Sequence, residues 1–181
     1  MMQPSKNVHH DSAHLPAVLW FTGLSGAGKS TIAEQVVAAL QQRGIPLEYL
    51  DGDRVRGLFP TGFSKEDRDA HIARIGFIAH LLEKHGVTVV ASFVSPYRAA
   101  RDRVRALCSR FLEIYVSTPL DECERRDVKG LYKRARAGQI QHFTGISDPY
   151  EPPLHPELVI DTTRVSPAQA CELVLNLYDQ S

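Results

Sequence analysis

The chain has few cysteines and no long apolar segment. Only Cys108, Cys123 and Cys171 occur among its 181 residues, and this odd, scattered set offers neither a disulfide framework nor the paired spacing of a zinc site. No stretch approaches the roughly 18 apolar residues of a membrane span. These absences favour a reducing compartment, and we expect a cytoplasmic protein that does not bind membranes.

The chain also lacks net charge. Its 21 lysine and arginine residues balance 21 aspartate and glutamate residues, so no overall field attracts nucleic acid or an anionic membrane. The length indicates a single domain, which we place at residues 17–181. Residues 1–16 are polar and lack the apolar region of a signal peptide, so we expect a flexible tail there.

Apolar runs alternate with helical patterns along the rest of the chain. Strands are predicted at 17–22, 46–50, 87–94, 111–116 and 158–160. Helices are predicted between them, one with an apolar stripe from Ile72 to Leu82. The last helix begins with a capping box formed by Ser166 and Gln169 around Pro167. This alternation predicts an α/β fold, with a five-stranded parallel sheet and helices on both faces.

Residues 127–156 interrupt this alternation. The segment is basic at first, then rich in glycine, proline and aromatic residues, and it contains no predicted strand. An irregular segment of this length inside a compact domain is usually functional. We therefore predict that residues 127–156 form a lid over a bound ligand.

A glycine-rich segment directly follows the first predicted strand. Gly23-Leu-Ser-Gly-Ala-Gly-Lys-Ser30 matches the P-loop pattern G-x-x-x-x-G-K-[ST], and a helical pattern follows it. Such a strand–loop–helix unit points backbone N–H groups and a helix N-terminus at one place, which suits a polyphosphate. Lys29 is expected to reach the β- and γ-phosphates, and the Ser30 hydroxyl to contact Mg²⁺. The sequence thus predicts a nucleoside triphosphate site.

Polar residues also follow the second and third predicted strands. Because ligands of parallel sheets bind at the carboxyl ends of strands, Asp51 and Asp53 are expected beside the triphosphate. There they can hold Mg²⁺ through water and accept a proton from an attacking hydroxyl group; a plain Asp-Gly turn is the alternative. Ser95 precedes a helix predicted at about 96–107. It is interpreted as an N-cap, a substrate contact or a nucleophile, and these alternatives stay open.

Arginine and phenylalanine residues indicate a second pocket. Arg forms paired bonds with oxyanions and Phe stacks on a base, so an anionic, aromatic ligand is expected beside Arg56, Arg68, Phe63 and Phe143. The helix after Ser95 carries four arginines, Arg98, Arg101, Arg103 and Arg105. They are interpreted as a solvated face, except that Arg98 is near enough to the strand end to touch an anion.

Taken together, these motifs resemble the adenylylsulfate kinase family. They occur in the family's order from about Val18 to the last helix. The resemblance rests on Gly23-Leu-Ser-Gly-Ala-Gly-Lys-Ser-Thr31, Leu50-Asp-Gly-Asp53, Gly62-Phe-Ser64, Asp67-Arg68, Phe93-Val-Ser-Pro-Tyr-Arg98, Lys129-Gly-Leu-Tyr-Lys-Arg-Ala-Arg-Ala-Gly138, Phe143-Thr-Gly145 and Asp148-Pro-Tyr-Glu-Pro152. Lys-Gly-Leu-Tyr together with Phe-Thr-Gly is hard to obtain by chance, so the set is more specific than the P-loop alone.

The resemblance implies a P-loop kinase with a lid. Such an enzyme transfers the γ-phosphoryl group of MgATP to the 3′-hydroxyl of adenosine 5′-phosphosulfate (APS), giving 3′-phosphoadenosine 5′-phosphosulfate (PAPS) in sulfate activation. Ser30 and Asp51 are then expected near the metal. The ATP site is expected to consist of Gly23, Leu24, Ser25, Gly26, Ala27, Gly28, Lys29, Ser30 and Thr31.

The resemblance also implies roles on the acceptor side. Asp53 positions or deprotonates the 3′-hydroxyl, with Lys29 as the other catalytic group. Arg56 and Arg68 hold the phosphosulfate, and Phe63 and Phe143 sandwich the adenine. The remaining expected substrate contacts are Asp51, His71, Val94, Ser95 and Lys129, the last in the lid. Ser95 matches the serine that the family associates with a phosphoenzyme. A homodimer and a functional link to ATP sulfurylase are also expected.

The chain departs from the family pattern at several positions. The linker between Arg56 and Gly62 is shorter than usual, and Val128 replaces a common Pro. His71 stands where many members have Asn, and Ala73 where they have Arg. These departures affect the expected polar contacts of His71 rather than the reaction class.

Three other functions are considered. One is another small-molecule P-loop kinase, and another is a catalytically silent nucleotide-binding domain, which the intact Lys29 and Asp53 disfavour. A GTP-dependent switch would need an Asn-Lys-x-Asp stretch, which the sequence lacks. On mechanism, we favour direct in-line transfer over a serine relay, since a loose phosphoryl transition state needs mainly positioning and charge neutralisation.

Overall fold

The computed structural model describes residues 15–181, so nearly all of the predicted tail lies outside the described residues. Its sheet has the strand order β2-β3-β1-β4-β5, and every pair of neighbours is parallel. The strands are β1 (Val18–Thr22), β2 (Leu47–Asp51), β3 (Thr88–Ser92), β4 (Phe111–Val116) and β5 (Leu158–Ile160). The predicted fold class is confirmed; β4 and β5 have the predicted bounds, and the ends of β1, β2 and β3 differ from the predicted ones by at most two residues.

Helices cover both faces of this sheet. They are α1 (Lys29–Gln42), α2 (Gly52–Leu58), α3 (Lys65–Lys84), α4 (Arg98–Leu107), α5 (Leu120–Arg126), α6 (Leu131–Arg136) and α7 (Pro167–Gln180). The capping box predicted for the last helix is confirmed at the N-terminus of α7. Among the described residues, none of the helices has the length and apolar character needed to cross a membrane.

Side chains of β1 alternate between two apolar layers, because successive side chains of a strand point to opposite faces. Leu19 and Phe21 join the cluster formed with α1 and α7, whereas Val18 and Trp20 join the cluster formed with α3 and α4. All of β1 is buried, as expected for the central strand of a parallel sheet with helices on both sides. Such a sheet leaves its strand ends open to ligands.

Residues 127–156 contain α6, an isolated bridge between Thr144 and Asp148, and otherwise turns and irregular backbone. One turn is held by the Phe143 carbonyl oxygen, which accepts hydrogen bonds from the backbone N–H groups of Ile146, Ser147 and Asp148. Both ends of the segment lie near the carboxyl edge of the sheet: Lys129 reaches Asp53 after β2, and Tyr150 reaches Thr22 at the end of β1. The segment is therefore placed where a lid would act, and its role as a lid stays a prediction.

Candidate active site

The carboxyl ends of β1, β2 and β3 meet at one cleft with a volume of about 370 Å³. Most of the predicted site residues line this cleft. They are Ser25, Gly26, Gly28, Lys29, Ser30 and Thr31 of the P-loop, and Asp51, Asp53, Arg56, Phe63, Arg68, Val94, Lys129 and Phe143 on the acceptor side. The structure thus brings together residues that are spread over more than half of the chain.

The P-loop owes its shape to close backbone approaches. Gly23 has φ +148°, and a Cβ there would lie 2.4 Å from the Val116 carbonyl oxygen, so only glycine fits. Lys29 begins α1, and its ammonium group donates to the carbonyl oxygens of Gly23 at 3.0 Å and Leu24 at 2.8 Å. Burial lowers the pKa of Lys29 to about 8. A phosphate at this loop would meet the charge of Lys29 and the N-terminus of α1 together.

Asp51 has two functions at the end of β2. Its Oδ1 accepts the backbone N–H groups of Asp53 and Arg54, both at 3.1 Å, and so caps α2. Its Oδ2 accepts from the Ser30 hydroxyl at 3.4 Å and the Tyr49 hydroxyl at 3.3 Å. Burial and then the Asp51 charge raise the pKa of Tyr49 to about 12, which keeps Tyr49 a proton donor. The capping turn and the metal-ligand interpretation of Asp51 are therefore compatible.

The oxygens of Ser30 and Asp51 fit Mg²⁺. In kinase sites this ion takes one or two protein oxygens and completes its octahedral shell with phosphates and water. Between residues 15 and 181 no group of three or more His, Cys, Asp or Glu side chains is placed to hold a metal alone. The pair beside the P-loop therefore suits a metal ion that arrives with the nucleotide.

Asp53 points its carboxylate into the cleft. Its Oδ2 accepts from the ammonium group of Lys129 in the lid segment, and both side chains are more than half exposed. The charges of Asp53 and Lys129 both act on Lys29, so these three groups share one part of the cleft. Asp53 also lies one turn before Arg56 on α2. The helix α2 therefore connects the P-loop side of the cleft to the second pocket.

Two guanidinium groups flank Phe63 in that second pocket. The central carbons of Arg56 and Arg68 each lie 5.3 Å from the centre of the Phe63 ring. Arg68 donates to the carbonyl oxygens of Phe63 at 2.9 Å and His142 at 3.1 Å. Burial, and then repulsion by Arg56, lowers the pKa of Arg68. An anion bound between the two arginines would relieve that repulsion.

Phe143 forms another wall of the same pocket. Its side chain is 4% exposed and lines the cleft, and its ring meets the Tyr132 ring edge-on with 5.1 Å between ring centres. Tyr132 in turn donates from its hydroxyl group to the Ser25 carbonyl oxygen at 2.9 Å. The lid segment therefore contacts the P-loop directly while it presents Phe143 to the cleft, as the resemblance implies for an aromatic ligand.

His71 does not line the cleft. It is 4% exposed and its ring packs edge-on against Phe93 with 6.0 Å between ring centres. Burial, and then the charges of Arg56 and Arg74, lowers the pKa of His71, so the ring is neutral at pH 7. Phe93 itself lines the cleft, so His71 packs behind one residue of the cleft wall, and its contact with the substrate stays a prediction.

Ser95 is also off the cleft wall, at 2% exposure. Its hydroxyl group accepts from Trp20 Nε1 at 3.1 Å and donates to Thr22 Oγ1 at 3.0 Å. The N-cap interpretation of Ser95 is wrong, because α4 begins at Arg98 and its N-cap is Tyr97. Ser95 instead has a φ of +37°, a strained value for a residue with a side chain. Both hydrogen-bond partners of its hydroxyl group are buried, and Ser95 is not among the residues that line the cleft.

The arginines of α4 differ from the predicted solvated face. Arg103 is half exposed, as expected, but Arg101 is 1% exposed and pairs with Glu113 at 2.7 Å. Arg98 donates to the Pro152 carbonyl oxygen rather than facing the cleft. The interpretation was wrong because the charge pattern of one helix carries no information about the segment that packs over it.

The sequence interpretation did not indicate Arg126 as a cleft residue. Arg126, at the end of α5, lines the cleft and donates to Thr162 Oγ1 at 2.8 Å. Thr162 itself donates to the Ala27 carbonyl oxygen of the P-loop at 3.0 Å. The helix α5 has only seven residues and no recognisable apolar stripe, so no periodic signal in the sequence indicated Arg126.

The parallel sheet, the P-loop between β1 and α1, and the carboxylates after β2 define a P-loop kinase. Comparison with known proteins narrows this class. A sequence model described as adenylylsulphate kinase matches residues 15–161. The adenylyl-sulfate kinase of Synechococcus sp. (strain JA-2-3B'a(2-13)) is 55% identical over 159 residues, covering 87% of this chain and 91% of the relative. The chain belongs to the adenylylsulphate kinase family.

Solved structures agree with this assignment. The APS kinase of Mycobacterium tuberculosis, in complex with AMPPNP and APS, superposes with a TM-score of 0.88 at 38% identity and covers 93% of this chain and 100% of that chain. A hexameric APS kinase from Thiobacillus denitrificans superposes with a TM-score of 0.69 at 33% identity, covering 92% of this chain and 29% of that chain.

Proposed function

We propose that the chain transfers the γ-phosphoryl group of ATP to the 3′-hydroxyl of APS, giving PAPS and ADP in sulfate activation. The observation that carries this proposal is the single cleft, in which a P-loop faces a pocket of two arginines around Phe63. A triphosphate suits the first half, and an aromatic base with an anionic group suits the second. Family membership identifies the acceptor whose chemistry matches that second half.

The donor side binds and neutralises the triphosphate. Backbone N–H groups of the P-loop and the N-terminus of α1 surround the phosphates, and Lys29 places its positive charge among them. Ser30 and Asp51 would hold Mg²⁺, and the ion, when bound, would neutralise charge on the β- and γ-phosphates. Tyr49 and the capped N-terminus of α2 keep the Asp51 carboxylate oriented toward Ser30.

The acceptor side orients the nucleophile. Phe63 and Phe143 hold the adenine of APS, while Arg56 and Arg68 bind its phosphosulfate. Asp53 accepts the proton of the 3′-hydroxyl group of APS while the oxygen of that hydroxyl group forms a bond to the γ-phosphorus. The bond from that phosphorus to the β–γ bridging oxygen breaks, and ADP leaves. Lys129, which reaches Asp53, adds positive charge from the lid segment at the point of transfer.

Direct transfer agrees better with the geometry than a serine relay does. The hydroxyl group of Ser95 is shared by Trp20 and Thr22 inside the core. A phosphoserine at this position would bury a doubly charged group among apolar rings. Ser95 therefore contributes by fixing the conformation of the segment after β3, in which Val94 lines the cleft.

We extend the proposal to assembly and location. The chain acts in the cytoplasm as a homodimer, and an ATP sulfurylase supplies its APS. The exposed Phe77 and Leu81, one turn apart on α3, support an apolar contact between two copies. Sedimentation equilibrium tests the dimer: the parental chain is expected to sediment as a dimer and a Phe77→Glu variant as a monomer. A parental monomer at micromolar concentration contradicts this part.

The function itself is tested by measuring ADP release with and without APS. We expect APS to stimulate ADP release strongly and the product to be PAPS by mass spectrometry. Adenosine 5′-monophosphate, which keeps the adenine and loses the sulfate, is the matched control and is expected to be a poor acceptor. ADP release that is unaffected by APS contradicts the proposed function.

A further inference from the structure

A buried arginine joins two segments that shape the acceptor half of the cleft. Arg101 lies on α4 and is 1% exposed. Its Nε donates to Glu113 Oε1 on β4 at 2.7 Å, which balances its charge. Its Nη1 and Nη2 donate to two backbone carbonyl oxygens, those of Ser95 at 2.6 Å and Glu151 at 2.8 Å. The planar guanidinium group of arginine donates hydrogen bonds from three separate nitrogen atoms in fixed directions, whereas lysine donates from a single nitrogen atom.

The first carbonyl belongs to Ser95, which lies behind the cleft wall and directly follows Val94, a residue of that wall. Ser95 has a φ of +37°, a strained conformation that persists only where its surroundings hold it. The bond from Arg101 to the Ser95 carbonyl oxygen holds this residue from one side, and the bonds of its hydroxyl group to Trp20 and Thr22 hold it from the other. Val94, directly before it, lines the cleft.

The second carbonyl belongs to the returning part of the lid segment. Glu151 is attached to the start of α4 by two further bonds: its N–H donates to the Pro96 carbonyl oxygen at 2.8 Å, and its carboxylate accepts the Arg98 N–H at 2.8 Å. Arg98 also donates to the Pro152 carbonyl oxygen at 2.9 Å. The residues around Glu151 are therefore anchored to α4 by side chains and backbone together.

This anchor is continuous with Phe143. Asp148 accepts from Tyr97 at 3.3 Å, and its backbone N–H donates to the Phe143 carbonyl oxygen at 3.2 Å. Gly145 N–H donates back to the Asp148 carbonyl oxygen at 2.7 Å. A shift of Glu151 would therefore move the turn that presents Phe143 to the cleft.

Stability alone is a weak reason for such an arrangement. A buried ion pair often contributes little net stability, because desolvation of both charges offsets their attraction. We propose that Arg101 is a positioning residue for the acceptor: through Ser95 it holds Val94 of the cleft wall, and through Glu151 it holds the Phe143 turn, in fixed relation to each other. This inference rests on the proposed function for its kinetic consequence, while its structural consequence can be measured without any substrate.

The kinetic test compares Arg101→Lys with Arg103→Lys, the same change at an exposed position of the same helix. Lysine at position 101 keeps the charge opposite Glu113 and loses the forked bonds to the carbonyl oxygens. We expect the KM for APS to rise about tenfold or more in Arg101→Lys, the KM for ATP to stay within about twofold, and Arg103→Lys to match the parental enzyme. Equal changes in both KM values, or a lower kcat with unchanged KM values, would overturn the proposal.

A second variant and a hydrogen-exchange measurement test the proposal even if Arg101→Lys does not fold well. Arg98→Met removes a more exposed anchor of the same segment, and is expected to raise the KM for APS in the same direction even if Arg101→Lys folds poorly. Hydrogen exchange without substrates is expected to speed up in residues 143–152 of both variants and stay unchanged in α1. Unchanged exchange in residues 143–152 contradicts the proposal, whereas a parental chain inactive on APS contradicts only the proposed function.

Discussion

The two halves of the cleft are built in different ways. The proposed donor half is built mainly from one continuous segment, Gly23–Thr31, which would bind through backbone N–H groups and the N-terminus of α1. The proposed acceptor half collects side chains from α2, the loop before α3, α3 and the lid segment, as far apart in sequence as Asp53 and Phe143. A backbone site depends on local conformation, whereas a side-chain site depends on how distant elements pack. Changes in the two halves should therefore affect different kinetic constants.

The largest effect is expected from the donor half. Lys29→Ala removes the positive charge that neutralises the transferring phosphoryl group. We expect kcat/KM to fall at least about 10²-fold, roughly 2.7 kcal/mol of transition-state stabilisation. Steady-state kinetics with both substrates measures this, and circular dichroism checks that the variant is folded. Near-parental activity would show that the P-loop does not serve catalysis.

The acceptor half should respond in the binding of APS alone. Stacking of a base on an aromatic ring contributes about 1–3 kcal/mol, so Phe63→Ala should raise the KM for APS about 5- to 150-fold. ATP binding in the absence of APS should change little, and Arg103→Ala on the exposed face of α4 should change neither. Calorimetric titration with each nucleotide separates these outcomes. A loss of ATP affinity with normal APS affinity would mean that the pocket belongs to the other ligand.

Ser95 tests whether a buried residue next to the cleft takes part in the chemistry. Ser95→Ala leaves Trp20 Nε1 without its acceptor, which should destabilise the fold by about 1–3 kcal/mol. Turnover should remain within about tenfold of the parental value, with most of the change in the KM for APS. Urea unfolding and steady-state kinetics measure the two effects. Stoichiometric, kinetically competent labelling of Ser95 by γ-labelled ATP would refute direct transfer.

The smallest effect concerns His71 and appears only at low pH. Its pKa is lowered in the folded state, so below the ordinary value of about 6.5 the unfolded chain binds more protons than the folded chain. Stability is therefore expected to fall as pH decreases from 7 to 5, and to fall less in His71→Asn. Urea unfolding at both pH values measures the difference. An equal loss in the parental chain and the variant contradicts this account of the His71 pKa.

Prediction from the sequence succeeded where the signal is local. The P-loop and the capping box of α7 depend on residues within one or two turns of each other. The sheet was predictable because apolar strands and helical patterns alternate, and short connections then permit few arrangements. The short helices α2 and α5 were not predicted, since seven residues give too little periodicity to recognise.

Prediction failed where burial depends on distant segments. Arg101 was interpreted as solvated because its neighbours on α4 are charged, but it is covered by β4 and by the segment around Glu151. His71 was expected to contact the substrate; the structure shows it buried behind Phe93 of the cleft wall, and the substrate contact stays a prediction. The residues that bury Arg101 and His71 lie too far along the chain for the spacing of residues within one helix to indicate these contacts.

The sequence by itself determined the nucleotide-binding element, the parallel α/β fold and the family, because each follows from local backbone requirements or from motifs in a fixed order. Only the tertiary structure decided which charged and polar groups face the cleft and which are buried behind it. Burial of a group such as Arg101 or the Ser95 hydroxyl is stable only when partners from other elements satisfy it. Those partners come together only when the sheet, α4 and residues 127–156 pack against one another.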